Sequence, residues 1–178
     1  MILAIDIGNT NIVIGCCDRE KIYFVERLST NNTKTELEYA ISFKNVLELY
    51  HINPKEIEGG IISSVVPPIT NIVRASAEKV LGKSVKIVGP GVKTGLNILM
   101  DNPAQVGSDR IVNAVAAINE YTAPLIIIDM GTATTFCVVD EKKNYIGGMI
   151  LPGVRISLDA LTAGTSQLSR ISIEAPKK

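Results

Sequence analysis

Asp6 is the first residue of this sequence whose type and position could do chemistry. It ends the apolar segment 2–5, and the polar stretch Gly8-Asn9-Thr10-Asn11 follows before apolar residues resume at 12–14. A tight turn between two strands aims backbone N–H groups and short polar side chains into one concavity, which suits phosphate oxygens. A carboxylate at the end of a buried strand is costly unless it is paired or holds a metal ion, and Mg²⁺ is often held by carboxylates together with substrate phosphates. The pattern indicates a nucleotide site; an ordinary hairpin, in which Asp6 closes an Asx turn, is the alternative.

The turn is expected to use the positive φ angles that Gly and Asn tolerate. A second stretch, LIIIDMGTATTFCVVD at 125–140, repeats the pattern: Asp6 lines up with Asp129 and Gly8 with Gly131. A repeat of this kind predicts two related halves that face each other across a cleft.

The segment Gly107-Ser108-Asp109-Arg110 carries a third candidate. It opens a predicted helix over 107–119, and the dipole of a first helical turn favours the ionised carboxylate that a general base needs. Phosphoryl transfer requires positioning, charge neutralisation and an Asp that accepts a hydroxyl proton. The planar fork of Arg110 suits a carboxylate. An acid in a first turn is also common for helix stability alone, and arginine is more often a solvated surface residue.

The sequence predicts alternating strands and helices, and these elements would position Asp6, Asp109 and Asp129. Thr35 with Glu38 three residues later is a capping box at the start of a helix. Gly82 is expected at the position that follows the end of another helix. The alternation of strands and helices predicts an α/β fold. The remaining predicted strands are 22–28, 60–66, 85–88 and 147–153, and the remaining predicted helices are 69–81 and 154–161.

The composition weighs against several function classes. Among 178 residues, Lys plus Arg equals Asp plus Glu at 18 each, so no net field attracts nucleic acid or an anionic membrane. The three cysteines (Cys16, Cys17 and Cys137) lack metal-ligand spacing, and His51 is the one histidine. No apolar run reaches the length of a membrane span, and the N-terminus does not fit a signal peptide. We therefore expect a cytoplasmic protein that binds neither nucleic acid nor membrane.

Five motifs together resemble the type III pantothenate kinases, within the superfamily of acetate kinase, sugar kinases, heat-shock chaperones and actin. They are DIGNTN at 6–11, ISSVVPP at 62–68, DNPAQVGSDRIVNAVAA at 101–117, DMGTATTF at 129–136 and GGMILPG at 147–153. The resemblance implies two ribonuclease-H-like α/β halves around a nucleotide cleft: a first domain over 1–119 and the start of a second over 123–178. The second half is short, so we expect that the sequence given is incomplete and that its second sheet exposes apolar surface.

The resemblance also implies an activity, which is ATP-dependent phosphorylation of pantothenate to 4′-phosphopantothenate, the first step of coenzyme A biosynthesis. Asp109 would accept the proton, Asp6 would lie near Mg²⁺, and Asp129 would bind a monovalent cation, K⁺ or NH₄⁺. Thr132 would contact ATP, and similar proteins are homodimers. The implied ATP loop comprises Asp6, Ile7, Gly8, Asn9, Thr10, Asn11, Ile12 and Val13, and the implied pantothenate residues are Met100, Gly107, Ser108, Asp109 and Arg110.

Met100 departs from the family pattern, because the family usually carries Tyr there. Methionine fills the volume but cannot donate a hydroxyl hydrogen bond. Three alternatives remain open at this point. The first is a non-catalytic regulatory protein of the same fold, since such proteins have also been described as transcriptional activators of the Bvg accessory factor type. The others are a kinase for another hydroxy acid and, less favoured by the balanced charge, a DNA-binding activator.

Overall fold

The apolar segment that opens the chain forms the central strand of a five-stranded sheet. This is seen in a computed structural model, which describes residues 1–89 and 91–175. The strand order is β3-β2-β1-β4-β5, in which β1 pairs antiparallel with β2 and parallel with β4. The strands are β1 (Ile2–Ile7), β2 (Asn11–Cys17), β3 (Ile22–Ser29), β4 (Gly59–Ser64) and β5 (Val85–Ile87).

Two helices, α1 (Glu36–Leu49) and α2 (Pro67–Leu81), pack against this sheet. The predicted capping box is present, because the Thr35 side chain accepts from the backbone N–H of Glu38 while the Glu38 carboxylate accepts from the N–H of Thr35. Helix α2 ends at Gly82, whose φ of 64° is the left-handed conformation that closes a helix. Both predictions are confirmed.

Strand alternation separates the core from the site. Leu3, Ile5 and Ile7 are at most 2% exposed, so these alternate residues of β1 face the helices. Successive side chains of a strand point to opposite faces, and Asp6 accordingly lies on the other face, where it is exposed. The core that holds β1 in place is therefore separate from the carboxylate that β1 presents.

A second, four-stranded sheet has the order β6-β9-β8-β7. Its strands are β6 (Asn97–Ile98), β7 (Leu125–Met130), β8 (Ala133–Val139) and β9 (Asn144–Pro152), and its part of the chain also contains α4 (Val154–Gly164). Helix α3 (Ser108–Glu120) precedes β7. The chain forms two compact units: Met1–Lys93 with Ala104–Val112, and Thr94–Pro103 with Asn113–Lys178. The domains proposed from the sequence, 1–119 and 123–178, stay a prediction, and residues 176–178 lie outside the described structure.

One face of the second sheet is exposed and apolar. Ile126, Ile128 and Met130 alternate along β7, and Met130 is 71% exposed. The same face continues across the sheet, because Ile128 pairs with Phe136, which in turn pairs with Met149. The expectation that this sheet exposes apolar surface is confirmed. Among the helices in residues 1–89 and 91–175, none combines the length and apolar character required to cross a bilayer.

Three details of the sequence prediction are corrected. No residue of the turns after Asp6 and Asp129 takes a positive φ; within the described residues this conformation occurs at His51, Lys143 and three glycines elsewhere. Gly8 lies in a tight space, since a Cβ there would lie 3.1 Å from the carbonyl oxygen of Asn11, closer than most Cβ contacts. The two-residue strand β6 was missed because it is too short to show alternation. The strand predicted at 147–153 is observed at Asn144–Pro152.

Candidate active site

The turn after Asp6 is fixed by backbone and side-chain hydrogen bonds. The N–H of Gly8 donates to the carbonyl of Asn11 at 2.9 Å. Thr30, which follows β3, donates its hydroxyl to the carbonyl of Gly8 at 2.6 Å and its N–H to the carbonyl of Thr10 at 3.0 Å. A loop that binds phosphate has to be held rigidly, and here the neighbouring strand supplies the support. Residues 9 and 10 at the tip are exposed.

Ser108 attaches the predicted acceptor segment to the first sheet. Its hydroxyl donates to the carbonyl of Ser64 at 2.9 Å and accepts from the N–H of Ser64 at 3.0 Å. The Ser63 hydroxyl lies 3.2 Å from the Ser108 hydroxyl, within hydrogen-bond distance. Ser63 is the pairing partner of Asp6 across the parallel strands β1 and β4. The start of α3 is therefore anchored on the strand next to the one that presents Asp6.

The carboxylate of Asp109 lies against the backbone of Gly107. A Cβ built on Gly107 would overlap Oδ1 of Asp109, so only glycine leaves room for this carboxylate position. The N–H of Ile111 donates to the carbonyl of Gly107 at 3.1 Å, which begins the helix. Asp109 is half-buried in the first turn of α3. Arg110 donates to the carbonyl of Gln105 at 3.4 Å, a long contact that does not lock the guanidinium in place.

The turn after Asp129 resembles the first but is one residue shorter. The N–H of Gly131 donates to the carbonyl of Ala133 at 3.0 Å. Asp129 pairs with Thr135, whereas Asp6 pairs with Val13. The repeat seen in the sequence therefore holds along the first strand of each hairpin and shifts by one residue after the turn.

Gly153 lies directly against this second turn. Its N–H donates to the carbonyl of Thr132 at 3.1 Å. A Cβ at Gly153 would overlap the carbonyl oxygens of both Gly131 and Thr132. Helix α4 begins at the next residue, so the close approach of Gly153 sets where α4 starts relative to the turn.

The exposed carboxylate of Asp129 has a partner that the sequence reasoning missed. Nδ2 of Asn113, on α3, donates to Oδ2 of Asp129 at 3.2 Å. Asn113 lies within the motif at 101–117 and follows Asp109 by one helical turn. This spacing is the signal in the sequence that could have indicated Asn113 as a site residue.

The predicted site residues fall into the two compact units. The first unit brings the loop 6–13 together with Gly107–Arg110. The second contains Asp129, Thr132 and Met100, which follows β6 and is 37% exposed.

An apolar groove of about 330 Å³ lies on the face of the first sheet that Asp6 shares. Ala4, Val13 and Ile61 line it together with Asp6 and Ser63. Its apolar walls do not suit phosphate oxygens, which need donors and cations. The groove is therefore a poor candidate for the phosphate site, and the assignment of that site to the turn stays a prediction.

Asp6 and Asp129 suit cations that a bound substrate also ligates. They suit a metal site made entirely of protein ligands less well. In the part of the chain that the structure describes, no three His, Cys, Asp or Glu residues group closely enough to hold a metal ion. Mg²⁺ usually keeps several waters and binds through one or two carboxylates plus substrate phosphates, an arrangement that Asp6 beside the first turn could complete. At the second turn, Asp129 and backbone carbonyls are the oxygen donors that alkali cations use.

Comparison with known proteins identifies the family. The family model described as type III pantothenate kinase matches residues 2–178. A type III pantothenate kinase of an Exiguobacterium strain is 47% identical over 176 residues, which cover 99% of this chain and 69% of that protein. The relative from Halalkalibacterium halodurans is 48% identical over 178 residues, which cover 100% of this chain and 70% of that protein. The chain belongs to the type III pantothenate kinase family.

Membership of this kinase family confirms the predicted class of enzyme and its predicted activity, pantothenate phosphorylation in coenzyme A biosynthesis. The alternative of a non-catalytic regulator gains no support from the comparisons. Type III pantothenate kinases are transferases that use ATP.

Solved structures outside the family confirm the fold class. The putative N-acetylglucosamine kinase of Porphyromonas gingivalis superposes with a TM-score of 0.54 at 16% identity, covering 92% of this chain and 57% of that one. The ethanolamine utilization protein EutJ of Carboxydothermus hydrogenoformans gives 0.53 at 14% identity, covering 91% and 55%. These similarities support the actin-like α/β fold; the cleft between two facing halves stays a prediction.

Proposed function

We propose that Asp109 is the general base that accepts the proton of the pantothenate hydroxyl while the γ-phosphoryl group of ATP is transferred to the oxygen. Residues 6–13 bind the phosphates of ATP, and Gly107–Arg110 bind pantothenate, with the Arg110 guanidinium paired to its carboxylate. Arg110 suits this role because, among the described residues, a single long contact holds its side chain, and its planar fork matches a carboxylate.

The observation that carries this proposal is the attachment of Ser108 to Ser63 and Ser64. Ser108 is bonded to the strand adjacent to the one that carries Asp6, within a single compact unit, and this supports a role for 107–110 beside the Asp6 turn. Phosphoryl transfer depends almost entirely on positioning and electrostatic stabilisation. A shared, hydrogen-bonded support for the two segments would supply that positioning.

Asp6 would hold Mg²⁺ beside the phosphates, where the ion neutralises charge that develops during transfer. Asn9, Thr10 and Asn11 would donate to phosphate oxygens from the turn that Thr30 supports. Asp129 would bind the monovalent cation, K⁺ or NH₄⁺, and Thr132 would contact ATP. Met100 would line the pantothenate pocket. The proposal includes a cytoplasmic homodimer.

The direct test is ADP release by the native full-length protein with ATP, Mg²⁺ and K⁺, with and without pantothenate. Asp109→Asn keeps the side-chain volume but cannot accept the proton, and we expect a loss of roughly 10²–10⁴-fold in kcat. Glu120→Gln, which neutralises an exposed acid at the other end of α3, is the matched control and should retain activity.

The outcomes separate the proposal from its rivals. Pantothenate-dependent turnover that is equal in Asp109→Asn and the unsubstituted protein would remove Asp109 from the role of base. Turnover with other hydroxy acids but not pantothenate would identify a different acceptor. Retained ATP binding without any turnover would favour a non-catalytic protein, and Met100→Tyr would then test whether the departure at this position is responsible.

A further inference from the structure

The amide of Asn113 has no part in the function proposed above, yet it contacts one of the proposed site residues. Its Nδ2 donates to Oδ2 of Asp129 at 3.2 Å, and both residues belong to the second compact unit. We propose that Asn113 is a positioning residue, which fixes the orientation of the Asp129 carboxylate so that this group can bind a monovalent cation. The inference rests on the proposed role of Asp129.

The Asp129 carboxylate needs such a restraint. It is exposed near the end of β7, and the bond from Asn113 is the one hydrogen bond to this carboxylate found in residues 1–89 and 91–175. The terminal torsion of an aspartate is broad, so an exposed carboxylate without a partner samples many orientations. Carboxylates that ligate metals are in turn hydrogen-bonded, and loss of such a partner typically lowers metal affinity or activity by 10–100-fold.

The chemistry of the amide suits this task. A carboxylate only accepts hydrogen bonds, so the amide must present its NH₂ group to Asp129. Lysine or arginine at position 113 would also donate, but its positive charge would compete with the cation. The neutral amide orients the carboxylate and leaves its full negative charge for the ion. Asn113 is itself half-buried on α3, which provides a firm base for the contact.

Helix α3 offers a matched control. Asn119 lies on the same helix, is exposed, and donates its amide to the carbonyl of Val115 at 2.7 Å. Asn119→Ala therefore removes an asparagine hydrogen bond from α3 without touching Asp129. A comparison of Asn113→Ala with Asn119→Ala separates loss of the carboxylate contact from a general effect on the helix.

The experiment titrates K⁺ at constant ionic strength, with tetramethylammonium as the replacing ion. Two responses are recorded in the purified protein: the thermal midpoint with ATP and Mg²⁺ present, and the rate of ADP release. We expect Asn113→Ala to need about tenfold more K⁺ for half of either response. Its thermal midpoint without K⁺ should stay close to that of the unsubstituted protein, and Asn119→Ala should match the unsubstituted protein throughout.

Two results would overturn the proposal while leaving the proposed function intact. One is an unchanged K⁺ requirement in Asn113→Ala when Asp129→Asn abolishes the K⁺ response. The other is a lower thermal midpoint at every K⁺ concentration with the same half-saturation, which would make Asn113 merely structural. A K⁺ response that persists in Asp129→Asn, or is missing from the unsubstituted protein, would instead remove the cation role of Asp129, and the positioning role with it.

Discussion

The carboxylate of Asp109 occupies the space that a side chain at Gly107 would need. The group in conflict is the end of a side chain that can rotate, so a methyl group at position 107 can be accommodated by moving the carboxylate and leaving the backbone in place. The function proposed for Asp109 depends on where that carboxylate lies, because a general base has to be within hydrogen-bond reach of the proton it accepts. If Asp109 is the base, we expect glycine at 107 to matter more for catalysis than for folding.

For Gly107→Ala we therefore expect at least a tenfold fall in kcat, with little change in thermal stability or in the affinity for ATP. A displacement of about 1 Å at a reacting group can cost roughly 10²-fold. Gly164→Ala is the control, because a Cβ there meets nothing within 4 Å. Full activity in Gly107→Ala, or a fall in stability that accounts for the whole loss, would contradict this interpretation.

Gly153→Ala should behave differently, because the atoms that a Cβ would meet are backbone carbonyls of the second turn. Backbone cannot rotate away as a side chain can, and overpacking of this kind costs about 1–3 kcal/mol. We expect reduced stability in urea together with weaker ATP binding, since Thr132 would move. Unchanged ATP affinity in a destabilised variant would separate Thr132 from the nucleotide site.

Ser108→Ala removes the hydroxyl that bonds to Ser63 and to both backbone groups of Ser64. Net hydrogen-bond contributions are about 1 kcal/mol each, and backbone groups that lose a partner add to the cost. We expect a loss of about 1–2 kcal/mol in urea unfolding. Ser157→Ala is the comparison, because among the described residues the Ser157 hydroxyl makes a single 3.5 Å contact, with the carbonyl of Pro152, and its loss should cost less than about 0.5 kcal/mol. Equal stability of the two variants would show that the Ser108 attachment is not structural.

Asp18 provides a prediction about pH. The hydroxyl of Tyr23, together with the N–H groups of Glu20 and Lys21, lowers the pKa of Asp18 from 3.8 to about 2. A group with a lowered folded-state pKa stabilises the protein above its unfolded pKa, and this contribution is lost as the pH falls through the folded value. Asp18→Asn should therefore be less stable than the unsubstituted protein at neutral pH, and the difference should shrink between about pH 4 and pH 2.

Denaturant unfolding at several pH values measures this effect. Tyr23→Phe removes the largest cause of the pKa shift of Asp18 while keeping the ring. The pH dependence of its unfolding free energy should lie between those of Asp18→Asn and the unsubstituted protein. A stability difference that is constant from neutral pH to about pH 2 would show that Asp18 acts through its turn geometry and not through its charge.

The features that sequence predicts well here are those with local causes. The capping box at Thr35, the end of α2 at Gly82 and the two strand–turn–strand repeats each depend on residues within a few positions of one another. Motif resemblance located the candidate residues, including Asp109 and Asp129. It could not show which groups hold them, since the partners of Asp129 and of Ser108 are distant in sequence.

The missed features have long-range causes. The bond from Asn113 to Asp129 joins residues 16 positions apart, and the contacts between Ser108 and β4 span more than 40 positions. The two-residue strand β6 exists because it pairs with β9, far along the chain. The positive φ expected in the first turn was wrong, because the turn closes with Gly8 at a negative φ and in a tight space beside the carbonyl of Asn11.

The different lengths of the two turns bear on the history of the chain. Three residues separate β1 from β2, whereas two separate β7 from β8. If both hairpins descend from one ancestral unit, an insertion or deletion at the turn has since distinguished them. Thr132 is then equivalent to Asn9 or to Thr10 according to the side of the turn on which the gap is placed. An alignment that detects this internal duplication should allow a gap at the turn and nowhere within the preceding strand.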